Sequence, residues 1–192
     1  GKAAMKVGSV IMWATDLQPF FMGILVSVFV GIALTLPISS AAICAALGLT
    51  GLAGGAAVAG CCAQMVGFAV MSFRENKWGG LVSQGIGTSM LQMGNIVRNP
   101  RIWIAPIVTS AITGPIATCL FRLQMNGTAV SSGMGTCGFV GQIGVYTGWM
   151  NDIAEGTKTA VTAMDWAGLF LISFILPAVL CPLINMFVRK LG

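Results

Sequence analysis

Four runs long enough to cross a bilayer, none interrupted by a charge, constrain this chain more than any other feature. They are residues 18–36 (QPFFMGILVSVFVGIALTL), 55–73 (GAAVAGCCAQMVGFAVMSF), 102–121 (IWIAPIVTSAITGPIATCLF) and 166–188 (WAGLFLISFILPAVLCPLINMFV). A helix needs ~20 residues to cross the ~30 Å hydrocarbon layer. Each run also has a stop signal: Pro37, then Arg74-Glu75-Asn76-Lys77, Arg122, and Arg189-Lys190. Only 8% of the 192 residues are charged and mean hydropathy is +0.90, so the chain has too little charge to cover a water-facing surface. Soluble domains carry ~25%. The fold class that follows is an all-α membrane protein with about four transmembrane helices. It forms a single integral domain over residues 1–192, multi-pass, in contact with the lipid bilayer.

The 26 glycines fit several helices packed at close range, because small residues let backbones approach each other in lipid. Cys44, Cys61, Cys62, Cys119, Cys137 and Cys181 lie in apolar or Gly-rich sequence without a CxxC pair, and read as small buried residues. The net charge of +5 is scattered at the ends of apolar runs and gives no nucleic-acid signature. Residues 1–17 place Met5, Val10, Ile11 and Trp13 among Lys2, Lys6 and Asp16. This reads either as a short surface helix or as the tail of an upstream segment.

Three further stretches are apolar but rich in Gly and hydroxyls: 38–55, 79–97 and 127–150. Irregular backbone at membrane depth survives only where protein buries it or a cavity wets it. If all three return to the side they started from, Lys2, Lys6, Arg74, Lys77, Arg98, Arg101, Arg189 and Lys190 share one face, and only Arg122 and Lys158 lie opposite. Such a bias marks a cytoplasmic face. Making 79–97 a full span removes the bias. The expectation is therefore two or three re-entrant or broken helical hairpins, both chain ends on the cytoplasmic face, and a dipping segment at 79–97. The order span, hairpin, span in 18–73 and again in 102–188 suggests a repeat.

No histidine occurs, so the usual general base and metal ligand are missing. There is no GxxxxGK[ST] loop, and the acids are dispersed. No cofactor and no metal site is expected, nor any catalytic residue. What remains at depth is uncharged: Gln64 in the second run, Gln84, Gln92 and Asn95 in the dipping segment, and Ser39, Ser40, Ser131, Ser132, Thr136 and Gln142 in the other two stretches. Amides and hydroxyls both donate and accept, which suits a neutral polyhydroxyl solute. In one continuous helix, Gln84, Gln92 and Asn95 would share about a quarter of the circumference. The candidate substrate-binding set is Gln84, Gln92, Asn95, Ser39, Ser40, Ser131, Ser132 and Gln142.

Residues 34–60 (LTLPISSAAICAALGLTGLAGGAAVAG), 95–117 (NIVRNPRIWIAPIVTSAITGPIA) and 133–144 (GMGTCGFVGQIG) resemble the EIIC-like membrane subunits of the bacterial phosphotransferase system. The likeness covers about residues 15–147 and is to the C-terminal half of such a protein. It implies a permease subunit in the bacterial cytoplasmic membrane that moves a small neutral solute, such as a sugar. The implied partners are a second copy or an N-terminal half, and soluble phosphotransferase subunits. Sugar-transporting relatives carry an acidic residue in a Gly-Ile-Thr-Glu-Pro type motif and often a functional histidine. This chain has neither, and Asp16, Glu75, Asp152, Glu155 and Asp165 all sit at segment boundaries. The alternative is a non-transporting membrane regulator or scaffold built on the permease fold.

Overall fold

A computed structural model describes residues 2–191. The helices are α1 Lys2–Leu17, α2 Pro19–Thr35, α3 Ser40–Leu47, α4 Gly51–Met71, α5 Phe73–Val82, α6 Met93–Arg98, α7 Arg101–Pro115, α8 Ala129–Ser132, α9 Val140–Ala154, α10 Ala163–Phe170 and α11 Leu176–Lys190. Short π-helical turns continue α7 through Ile116–Leu120 and join α10 to α11 through Leu171–Ile175. Both π-turns lie beside a proline, Pro115 and Pro177. A proline supplies no N–H to the ladder, and this loosens the turn next to it. Among the described residues, three helical stretches are long and apolar enough to cross a membrane: Gly51–Met71, Arg101–Leu120 and Ala163–Lys190.

The direction of each element follows from its partners. The α4 helix is the axis of the molecule, with every residue from Leu52 to Ala69 buried. Trp103 meets Gln64, and Ser110 meets the carbonyl of Gly60, so α7 runs antiparallel to α4. Along α2, Thr118 donates to Pro19 and Ser27 donates to Ser110, so α2 is also antiparallel to α7. Therefore α2 runs parallel to α4. It starts at the Gly51 end of the molecule and stops at Thr35, level with Gln64.

This corrects the expectation for the first run. Residues 19–35 do not form a span followed by a returning loop. They are the descending arm of a re-entrant hairpin, and α3 is its ascending arm. Pro37 breaks the first helix, and the Ser39 hydroxyl accepts from the N–H of Ala42 to cap the second. Gly48, at φ 66°, ends α3 in the left-handed conformation that favours glycine. The N-terminal stretch is a helix, α1. Its Gly8 presses on Leu47 and Met12 meets Thr50, so it lies at the Gly51 end.

Each of the other two irregular stretches begins and ends at one end of the helix bundle. Residues 72–100 leave α4 and enter α7 at the same Met71 end. At the Gly51 end, Met125 pairs with Gly51, and Asn126 donates to both carboxylate oxygens of Asp152 at 3.1 and 2.9 Å. These contacts close the hairpin of residues 127–152. With three crossings, α1 and the end of α11 lie at opposite ends, and the expected shared face for Lys2, Lys6, Arg189 and Lys190 does not form. The units 18–73 and 102–188 also differ: α2 is parallel to α4, whereas α7 is antiparallel to α11. Contact between Cys181 and Gly67 on α4, and between Gly168 and Phe121, fixes that second direction.

Lipid-facing character covers the outside. Phe20, Phe21, Leu25, Phe29, Val108, Ile112, Val179, Leu183 and Phe187 are all exposed. Such a belt of large apolar side chains is costly in water and suited to hydrocarbon. Inside, packing is backbone-close: a Cβ on Gly60 would lie 1.8 Å from the carbonyl oxygen of Ser27. Four of the six cysteines, Cys44, Cys61, Cys62 and Cys181, are free and buried.

Candidate functional site

The tips of the three re-entrant segments converge at mid-depth. Thr35, at the tip of the first, lies 3.0 Å from Ser89 in the dipping segment, hydroxyl to hydroxyl. Ser40 donates to the carbonyl of Gly133 at 2.6 Å, joining the first tip to the third. Thr136 donates to the carbonyl of Gly85, joining the third to the second. Gly135 lies against Cys61 and Cys62, the centre of α4. Backbone at this depth has no water to satisfy it, and these hydroxyls do so instead.

The dipping segment is not one helix. It is a π-turn at Ser83–Gly87, a break at Thr88 in extended backbone (φ −159°), a short 3₁₀ turn at Ser89–Gln92, and then α6. Thr88 caps the second half by accepting from the N–H of Met90. The break folds the segment on itself. Gln92 donates to the Gln84 side-chain oxygen at 2.9 Å, Ser72 donates to the same oxygen at 3.2 Å, and Asn95 donates to Gln92 at 2.9 Å. The three amides expected on one helical face do meet, but they meet across the break and not by helical phase.

Ser72, Gln92 and Asn95 of this relay border a cavity of about 290 Å³ at the Met71 end, lined also by Phe68, Glu75, Asn76, Asn185 and Arg189 among others, and Gln84 stands behind them. Neutral amides dominate the polar lining, with one carboxylate and one guanidinium. Sequence reading missed Ser72, Glu75, Asn76, Asn185 and Arg189. The spacing of Gln64, Phe68, Ser72 and Glu75 was the available signal, since in one continuous helix at 100° per residue they would fall within about 80°.

The remaining sequence candidates lie elsewhere. Ser39 is an exposed cap. Ser40 and Ser132 hold the first and third re-entrant segments together, Ser132 donating to the carbonyl of Leu49 at 2.5 Å. Ser131 is buried and pairs with the Thr128 hydroxyl at 2.9 Å. Gln142 donates to Ser173 at 3.0 Å and lies beside Cys62, round α4 from the cavity. These four serines and Gln142 do not line the cavity that Gln92 and Asn95 line.

A second cavity of about 460 Å³ opens at the Gly51 end, between Arg122, Asn126, Trp149, Asp152, Lys158 and Asp165. Two of its charged groups pair with each other, Lys158 with Asp165 at 2.7 Å, and Asp152 accepts from the Asn126 amide. The two cavities lie at opposite ends of α4, and the three tips stand between them. Among the described residues no group of His, Cys, Asp and Glu is arranged to hold a metal ion.

No curated protein and no solved structure matches this chain. A family profile, that of the phosphotransferase system EIIC subunit, matches residues 1–192. The all-helical build, the three apolar crossings and this full-length match agree, and the chain belongs to the phosphotransferase system EIIC family of membrane transporter subunits.

Proposed function

We propose that this subunit moves a small neutral solute, a sugar or a related polyhydroxyl compound, and that the cavity beside Gln92 and Asn95 is where the solute is held. The observation that carries the reading is that Ser72, Gln92 and Asn95, tied together through Gln84, border an open cavity. An amide stripe is costly against lipid and must face protein or water. Here it borders a void large enough for a hexose. Amides discriminate hydroxyl patterns because each offers donors and an acceptor in fixed geometry.

The charges orient the molecule. The Met71 end carries Arg74, Lys77, Arg98, Arg101, Arg189 and Lys190 with one acid, Glu75. The Gly51 end carries Lys2, Lys6, Arg122 and Lys158, balanced by Asp16, Asp152, Glu155 and Asp165. By the positive-inside rule the Met71 end is cytoplasmic, in a bacterial cytoplasmic membrane. The solute cavity then opens inward, and the cavity beside Trp149 opens outward. Soluble phosphotransferase subunits would meet the inner face. A second copy of this chain would cover part of its apolar belt.

Uptake into vesicles containing purified protein tests this. Gln92→Leu should abolish uptake of the transported sugar while expression and oligomeric state stay intact. Normal uptake by both Gln92→Leu and Asn95→Leu would remove this cavity from the solute path. A wild-type protein that moves no sugar or polyol would favour the regulator or scaffold reading.

A further inference from the structure

One polar group below the cavity is incompletely used. The Gln64 side-chain oxygen accepts two hydrogen bonds, from Trp103 at 3.0 Å and from Thr35 at 3.1 Å, and these fix the orientation of the amide. Its nitrogen, fully buried, has no acceptor. A buried donor without a partner is costly and calls for a specific explanation. Its position supplies one. Gln64 stands one helical turn deeper than Phe68 on the same face of α4. Phe68, 1% exposed, lines the floor of the cavity, and Ile102, next to Trp103, lines its side. Gln64 and Trp103 are therefore the next layer below the floor. Ser89, which contacts Thr35, and Gln92, which faces the cavity, belong to one 3₁₀ turn, so the two layers are joined by backbone.

We propose that Gln64 is the inner subsite of the solute pathway: its unpartnered N–H groups donate to a hydroxyl oxygen of a neutral polyhydroxyl solute that passes the Phe68 ring. This rests on the cavity being the solute site. Thr35 and Trp103 act as positioning residues, holding the amide oxygen so that the nitrogen is presented. The Ser89 hydroxyl sits beside them as a further hydrogen-bonding group for the same solute.

The test is binding to the protein in lipid nanodiscs, with D-glucose, D-galactose, D-mannitol and D-ribose as probes and thermal stabilisation as the readout. Three variants are compared with wild type. Gln92→Leu probes the cavity. Gln64→Met keeps bulk without the donor. Gln64→Leu removes both the donor and the acceptor with little change in volume. For whichever probe stabilises wild type, both Gln64 variants should weaken binding about tenfold, the loss of one hydrogen bond to a buried donor. Loss of binding in Gln92→Leu with unchanged binding in either folded Gln64 variant would overturn the subsite and leave the cavity standing. Unchanged binding in Gln92→Leu would overturn the cavity reading, and a wild type that binds none of the probes would overturn both. Failure of both Gln64 variants to fold would make Gln64 a packing residue and also overturn the proposal.

Discussion

At the scale of single residues, the polar groups at depth divide into two kinds. Ser27, Ser110 and Thr118 spend their hydroxyls on backbone carbonyls of neighbouring helices, and so hold helices together. Gln84, Gln92 and Asn95 bond their amides to each other, and Gln92 and Asn95 border a void. The oxygen of Gln84 accepts from both Ser72 and Gln92, which makes it the hub. Replacing it with leucine should lower stability by about 1 kcal/mol, two intramembrane hydrogen bonds at ~0.6 each. Thermal unfolding in detergent checks this, and no change would mean the relay is not formed. That these amides would meet was legible in the sequence, but the geometry was not. Helical spacing carried the expectation, and Thr88 breaks the helix between them; a threonine preceded by Gly-Ile-Gly does not announce an extended residue. Ser131, Ser132 and Gln142 looked equivalent to the amides because residue type alone does not say which polar groups already have partners.

At the scale of elements, hydropathy found the apolar segments and misjudged one. The α2 segment is as apolar as the crossing helices, yet its 17 residues stop level with Gln64, and α3 climbs back. Nothing in its composition separates a descending arm from a span, because both are surrounded by lipid and apolar protein. What separates them is tertiary: Thr35 finds Gln64 and Ser89 at mid-depth. The same arm explains why α4 is so rich in small residues. Gly60 lets α2 approach to backbone contact, and Gly114 does the same on α7, where a Cβ would lie 2.3 Å from the carbonyl oxygen of Gly23. Gly60→Ala should therefore destabilise by roughly 1–3 kcal/mol, the usual cost of overpacking a filled core. Measured stability equal to wild type would mean that α2 and α4 are not in backbone contact.

At the scale of the whole molecule, positions 2 and 190 lie at opposite ends of the helix bundle, where the sequence-based count of charges had put them together. That count assumed that every irregular stretch flanks two full spans. One hairpin built from a long arm and a short arm reverses everything before it. Thiols placed singly at Lys2 and Lys190 in a cysteine-free background should react with a membrane-impermeant reagent from opposite sides, whereas Asn76 and Asn99 should react from the same side. Same-side labelling of Lys2 and Lys190 would restore the four-span layout. Under the proposed transport function, solute passes between the two cavities only when the re-entrant tips part. Thr136 of the third re-entrant segment and Gly85 of the dipping segment are in hydrogen-bond contact. The direct measurement is sugar uptake by Gly85→Cys/Thr136→Cys in a cysteine-free background, before oxidation, after it, and after reduction. The account predicts that the disulfide stops uptake and that reduction restores it. Uptake that continues unchanged in fully cross-linked protein would contradict it.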